Sequence, residues 1–202
     1  LLALAPGETY APGKWNVSPN GKADGPTART AGTGFTLTVK AVDPYYNTWT
    51  DANPTVTVAT NDIYAADPAP KALTAGSTTF TLTLYTRTTD AATVTATAGV
   101  FTAGASTGIP VNAAPPSRLL VLLPGESREE GKWNVSPNGK TGTPNPQVVG
   151  STVTVTVAAA DAYWNAVSTN TSVTVTASEA TASVLLSPKS LDLVPGTTTF
   201  QI

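Results

Sequence analysis

The sequence predicts an all-β fold built as two copies of one unit, and three observations carry the prediction. Apolar residues alternate with Thr or Lys in Phe35-Thr-Leu37-Thr-Val39-Lys-Ala41, Val56-Thr-Val58, Phe80-Thr-Leu82-Thr-Leu84 and Val94-Thr-Ala96-Thr-Ala98, the period of two that sorts side chains onto opposite faces of a strand. No stretch carries a 3.6-residue apolar period, and the Gly and Pro clusters fall between the alternating runs, where they suit turns rather than helix caps. The ten residues Gly13 to Lys22, GKWNVSPNGK, recur letter for letter as Gly131 to Lys140, an offset of 118 residues (131 − 13).

Taken in chain order, the first copy opens with the apolar strand Leu1 to Leu4 and continues into an insertion of roughly 25 residues, Pro6 to Ala31, long for a connection without structure of its own. Further strands are expected near 34–42, 55–60, 71–74, 78–86, 92–98 and 109–113. Thr suits their wet faces because its branched β-carbon favours extended backbone while its hydroxyl stays hydrated. The predicted core is Phe35, Leu37, Val39, Val56, Val58, Phe80, Leu82, Leu84 and Val94. About seven short strands per unit is the count of an immunoglobulin-like β-sandwich, here with a long loop after the first strand.

The boundary is expected at Ala113-Ala114-Pro115-Pro116-Ser117-Arg118, where two prolines stiffen the joint, giving units 1–117 and 118–202. The second copy repeats the devices in Leu119 to Leu123, Val153-Thr-Val155-Thr-Val157 and Val173-Thr-Val175, with a one-residue deletion before the last. It runs to Ile202, the counterpart of Leu82, so Thr83 to Ser117 of the first copy has no partner in the second. A sandwich lacking those strands leaves an apolar face and an unpaired edge. Completion is expected from continuing chain or from a strand lent by a neighbour, for which the apolar segment Leu1 to Ala5 is a candidate.

Composition narrows the function. Charged residues make up 12% of the chain and the net charge is −2, so there is no basic field to attract nucleic acid, and no apolar run is long enough to insert in a membrane. Cys, His and Met are absent, which removes Ser-His-Asp and Cys-His catalysis and the usual zinc sites. The acids Glu8, Asp43 and Asp62 recur as Glu126, Asp161 and Glu179, a spacing that reflects repetition rather than convergence on one glycosidase-type site. We therefore expect no enzyme and no cofactor. A Thr-rich, Cys-free profile with little Lys or Glu suits an exported bacterial protein, placed outside the cell or on its surface.

The candidate site residues are Lys14, Trp15, Asn16 and Asn20 in the insertion, duplicated as Lys132, Trp133, Asn134 and Asn138. As a contact surface, Trp with Asn and Lys stacks on a sugar ring or docks on a neighbouring domain. As a structural pin, Trp15 folds back over the unit's rim while Pro19-Asn20-Gly21 turns. Asp43 and Asn47, with twins Asp161 and Asn165, are weak calcium candidates, since one carboxylate is a poor charge match; an Asx turn capping backbone N–H groups is the simpler reading. Tyr45, Tyr46, Tyr163 and Trp164 then cover the sheet end. A Lys-to-Asn isopeptide crosslink needs a buried Lys, whereas Lys40 falls on the wet face and the loop lysines read as solvated. Asn16-Val-Ser18, Asn134-Val-Ser136 and Asn170-Thr-Ser172 match the short N-glycosylation pattern.

The segment Val39-Lys-Ala-Val-Asp43-Pro-Tyr-Tyr-Asn47 followed by Val56-Thr-Val58, its twin Val157 to Asn165, and the apolar run Leu119 to Leu123 opening a repeat resemble the tandem bacterial immunoglobulin-like repeats of large surface and secreted proteins, broadly similar to those of invasin- and intimin-type adhesins. The resemblance spans the whole chain and departs from the family in the Pro6–Ala31 insertion. It implies a non-catalytic structural segment of an extracellular filament, stalk or surface layer. Its partners would be neighbouring copies or adjacent repeats. The alternative is an adhesin or a carbohydrate-binding accessory module, with glycans as partners.

Overall fold

A computed structural model of the chain describes residues 1–176 and 190–202. The chain divides into two compact units, Leu1–Asn112 and Ala113–Ile202, and every regular element among the described residues is a β-strand. Unit 1 contains β1 (Leu2–Leu4), β2 (Thr9–Tyr10), β3 (Lys22–Ala23), β4 (Arg29–Thr30), β5 (Gly34–Lys40), β6 (Thr55–Thr60), β7 (Lys71–Ala72), β8 (Ser77–Thr83), β9 (Thr88–Ala92), β10 (Val94–Ala98), β11 (Phe101–Ala105) and β12 (Ile109–Asn112). They form sheets in the orders β1-β5-β8, β11-β10-β6-β7 and β4-β12-β9, with β2 and β3 as a separate pair.

The register explains why alternation predicts the core. Phe35 stands opposite Leu82 and Leu37 opposite Phe80, while Thr36 faces Thr81 and Thr38 faces Thr79. One face of the β5–β8 ladder is therefore apolar at its centre, with Val39 opposite Thr78 at its end, and the other carries the two Thr pairs, flanked by Gly34–Thr83 and Lys40–Ser77. All nine predicted core residues are buried, Leu37, Val39, Val56, Val58, Phe80 and Val94 completely.

Strand ends depart from the periodicity for local reasons. The strand expected to reach residue 86 stops at Thr83 because the buried Asp62 carboxylate captures the next N–H groups, Tyr85 at 2.6 Å and Thr86 at 2.9 Å, and the Thr86 hydroxyl at 2.7 Å. The strand expected over 71–74 is cut to two residues by a tight turn, in which Thr74 and Ser77 exchange backbone hydrogen bonds of 2.9 and 3.1 Å across Ala75 and Gly76. Both turn residues have positive φ, 48° and 71°, the primed geometry that matches strand twist. The insertion is not structureless: it holds β2, β3 and β4. Strand β11 and all but the last residue of β9 fall outside the expected strands.

Unit 2 contains β13 (Arg118–Leu122), β14 (Glu126–Arg128), β15 (Lys140–Gly142), β16 (Thr154–Ala160), β17 (Ser172–Thr174), β18 (Ser190–Asp192) and β19 (Thr197–Gln201). The sheet β13-β16-β19 and the pair β17-β18 bury one shared apolar cluster: Val155, Val157, Ala159 and Phe200 from the first meet Val173 and Leu193 of the second and the segment after it. The prolyl stretch expected as a joint belongs to this unit, with the Ala114 N–H bonded to Asp161 Oδ2 at 2.8 Å and the Ser117 N–H to the Ala160 carbonyl at 2.9 Å. Glu179, the expected twin of Asp62, lies outside the described residues.

Candidate functional site

The duplicated decapeptide folds as an arm that docks on the Asp43–Asn47 turn. Strands β2 and β3 pair Thr9 with Ala23 and Tyr10 with Lys22, and the ladder extends inward through Ala11 N–H to Gly21 O at 2.9 Å and Gly21 N–H to Lys14 O at 2.7 Å. The Ser18–Pro19 peptide at the tip is cis. Gly21, at φ 73°, lies so close to Tyr46 that a β-carbon there would fall 2.7 Å from the ring's Cγ. The Tyr10 hydroxyl donates to the Tyr46 carbonyl at 2.7 Å and accepts from Thr48 Oγ1 at 2.9 Å, and Lys40 Nζ lies 5.0 Å above the Tyr10 ring, a cation–π contact.

Trp15 completes the dock edge-on, its ring centroid 5.9 Å from that of Tyr45 at 89°, and remains 51% exposed. Unit 2 repeats the contact: Trp133 meets Tyr163 at 6.0 Å and 86°, Gly139 abuts Trp164, and Trp133 is 37% exposed. Where Tyr10 and Lys40 tie the first arm, the second has Arg128 and Ala158, and Arg118 lies 4.9 Å over the Trp164 ring. The arm geometry survives the change of fastenings.

The turn itself is an Asx turn. Asp43 Oδ1 accepts from the Tyr45 N–H at 2.9 Å and the Asn47 N–H at 2.8 Å, and its Oδ2 accepts from Asn47 Nδ2 at 3.0 Å. Asp161 makes the same three contacts at 2.8, 2.9 and 2.8 Å with Tyr163 and Asn165. The Asn47 side-chain amide, then the Asn47 and Tyr45 N–H groups, hold the Asp43 carboxyl below the usual carboxylate range against a small opposing effect of burial. A calcium ion takes six to eight oxygens; the Asp43 and Asp161 carboxylate oxygens instead accept from N–H donors, Asn47 and Asn165 among them, and no cluster of three metal-ligating acids occurs among the described residues.

The lysines correct the sequence reading. Lys22 is not solvated: it is buried, with Nζ 3.1 Å from Glu8 Oε1 and donating to the Ala3 carbonyl at 2.8 Å and the Ala105 carbonyl at 3.2 Å. Lys14 lies over the same strand, donating to the Lys22 carbonyl at 2.6 Å. In unit 2, Lys132 donates to the Lys140 carbonyl at 3.0 Å and Lys140 pairs with Glu126 at 2.8 Å. The Leu123 N–H, and next Lys140, hold the Glu126 carboxyl below its ordinary range. Although Lys22 is buried as an isopeptide crosslink would require, its neighbours are a carboxylate and two carbonyls. The signal for this pair was present in the sequence: Glu8 and Lys22 are both kept at the 118-residue offset.

Asn16, Asn134 and Asn138 are exposed at the arm tips, and Asn20 lines a cleft of about 250 Å³ with Lys22, Tyr46 and Gly104. The three N-glycosylation patterns lie on exposed Asn residues. An aromatic pair that the sequence did not single out, Trp49 and Phe101 at 5.8 Å, lines a neighbouring cleft of about 580 Å³ with Tyr46 and Val100. Leu1 to Ala5, expected as the opening strand of unit 1 and named as the candidate should a neighbour lend a strand, is occupied within its own unit: Leu2–Leu4 pairs with β5, and Leu2 through Ala5 are buried. Comparison with protein-family models, curated proteins and solved structures finds no match to this chain.

Proposed function

We propose that the chain is a non-catalytic structural segment, two immunoglobulin-like sandwich units in tandem, serving an extracellular or cell-surface filament, stalk or layer whose partners are adjacent repeats or further copies of itself. The observation that carries this reading is the destination of the carboxylates. Asp43, Asp161, Asp62, Glu8 and Glu126 are each bonded to backbone N–H groups or to a lysine of the same unit, so the acids act as fastenings rather than as proton donors to a substrate. The repeated arm-on-turn dock serves the same end, since it stiffens the region between the first strand and the sheet end in both units. Electron microscopy of the native assembly tests the proposal, with regular end-to-end units expected. Isolated, unassociated particles at all concentrations would count against it.

An adhesin or carbohydrate-binding role is the second reading, favoured by the half-exposed Trp15 and by the Trp49–Phe101 cleft, because aromatic faces stack on sugar rings. Titration of the chain with glycans while following Trp fluorescence, in the parent and in Trp15→Ala and Trp49→Ala, separates the two. Saturable quenching lost in either variant would move the assignment to a binding module.

A further inference from the structure

Strand β8 is the last strand of the sheet β1-β5-β8, and its counterpart β19 is the last of β13-β16-β19. In unit 1 the chain that follows β8 pairs elsewhere, as β9 to β12, and leaves the outer side of β8 unpaired, so the open edge belongs to the fold of the unit. The register says which groups face it. Ala41 N–H bonds to the Gly76 carbonyl at 2.8 Å, and Ile202 and Val153 exchange N–H bonds of 2.9 and 2.7 Å. With Val39 opposite Thr78 and Val155 opposite Phe200, the antiparallel alternation turns the N–H and C=O groups of Thr79 and Thr81 outward in β8, and those of Thr199 and Gln201 outward in β19. The edge of β8 is guarded. Lys71 lies across it, with Nζ donating to the Thr79 carbonyl at 3.0 Å and 5.5 Å over the Phe80 ring, and a lysine on an edge opposes strand pairing. Lys71 stands opposite Val56; opposite Val173, its counterpart, stands Leu191. Leu191 packs on the apolar cluster of unit 2 and has no donor to offer. Among the described residues nothing donates to the carbonyl of Thr199, the counterpart of Thr79.

We propose that the outer edge of β19 pairs antiparallel with the same edge of a second copy of this chain, and that Lys71 denies β8 the same pairing. The inference rests on the structural role proposed above, in which further copies are partners, and names the surface at which two copies meet. A row of outward N–H and C=O groups is satisfied by another strand through main-chain hydrogen bonds. Symmetry and charge select a second copy as the source of that strand. The Thr197 carbonyl already accepts from the Val194 N–H at 3.0 Å, which leaves the groups of Thr199 and Gln201. A two-fold arrangement with Thr199 of each strand opposite Gln201 of the other satisfies both residues at once and sets Phe200 opposite its own copy. No residue of Thr197–Gln201 is charged, so the two edges meet without repulsion. Two β8 edges joined in this way would instead bring two Lys71 ammonium groups together and break the bond to Thr79.

The test is sedimentation of the 202-residue chain over a range of concentrations, with amide exchange measured in parallel. A monomer–dimer equilibrium is expected, in which exchange at Thr199 and Gln201 slows as concentration rises while exchange at Thr81 does not. Thr199→Pro removes an N–H that takes no part in the β16 ladder. Unit 2 should stay folded, as read from protection of the Val155 and Val157 amides, and the dimer dissociation constant should rise at least about tenfold. Lys71→Leu gives unit 1 the residue found in unit 2 at an exposed position; it should produce species larger than a dimer and make protection of Thr81 depend on concentration. A chain that remains monomeric up to about 1 mM would overturn the inference. A dimer indifferent to Thr199→Pro would overturn it too, while leaving the structural role standing. Protection of Thr199 and Gln201 only on addition of a different protein would also overturn it, by making the occupant another partner, and a Lys71→Leu chain that stays dimeric would overturn the role given to Lys71.

Discussion

Substituting alanine at Gly13 and at Gly21 separates two costs that usually arrive together. Both residues lie in the left-handed region, at φ 76° and 73°, so each substitution forces a side chain into a conformation that costs roughly 1–2 kcal/mol for a non-glycine residue. They differ in surroundings. A β-carbon on Gly13 meets nothing within 4 Å, whereas one on Gly21 overlaps the Tyr46 ring, with Cγ at 2.7 Å and Cε1 at 3.0 Å. Overpacking of that kind adds about 1–3 kcal/mol. Gly13→Ala should therefore destabilise unit 1 by about 1–2 kcal/mol and Gly21→Ala by about 2–5 kcal/mol. Tyr46→Ala removes the ring, so in that background the two glycine substitutions should cost the same, a coupling readable by double-mutant cycle. Urea unfolding of the whole chain, followed through the amide resonances of β5 and β8, gives the unit 1 values. Equal costs for the two single variants, or an excess at Gly21 that persists without the Tyr46 ring, would refute the docked-arm account.

Four further outcomes are expected. Leu37→Ala should cost about 2–5 kcal/mol and Thr36→Ala under about 1, measured by the same unfolding; similar losses would overturn the register of β5. Lys22→Ala strands the buried Glu8 carboxylate and should cost about 3–5 kcal/mol, while Lys140→Ala, at a more open pair, should cost clearly less; comparison of their urea midpoints checks the order. The Glu126 carboxyl is held low in the folded chain, so its contribution is fully present above the ordinary carboxylate pKa near about 4.3 and is lost as pH falls through the folded value. Protection of the Leu123 amide, taken relative to its intrinsic exchange rate, should thus hold from neutral pH down to the ordinary carboxylate value and fall only below it, and an NMR titration placing Glu126 at the ordinary value would contradict this. Trp15→Ala should remove an edge-to-face contact worth about 0.5–1.5 kcal/mol from unit 1 while weakening any self-association more strongly, seen by sedimentation; a stability loss of several kcal/mol would make Trp15 chiefly a pin for its own arm.

What the sequence determined by itself was whatever depends on neighbours one to four residues away. Alternation in Phe35–Ala41, Val56–Val58 and Phe80–Leu84 sufficed to name a core that is buried throughout, because side-chain direction in a strand follows from backbone geometry alone. The Asx turn at Asp43 was legible for the same reason: its donors at Tyr45 and Asn47 lie within four residues. Tertiary structure decided what depends on distant partners. Lys22 reads as a solvated loop residue until Ala3, 19 positions earlier, and Ala105, 83 positions later, supply the carbonyls that accept its protons. The Asp62 carboxylate ends β8 from 23 residues away. The apolar run Leu119 to Leu123 looks identical in kind to Leu1 to Ala5, yet its outer face is open where the other is closed, because the segment that covers the first crosses it a hundred residues further along the chain. Burial belongs to the pair of surfaces that meet, and local sequence specifies only one of them.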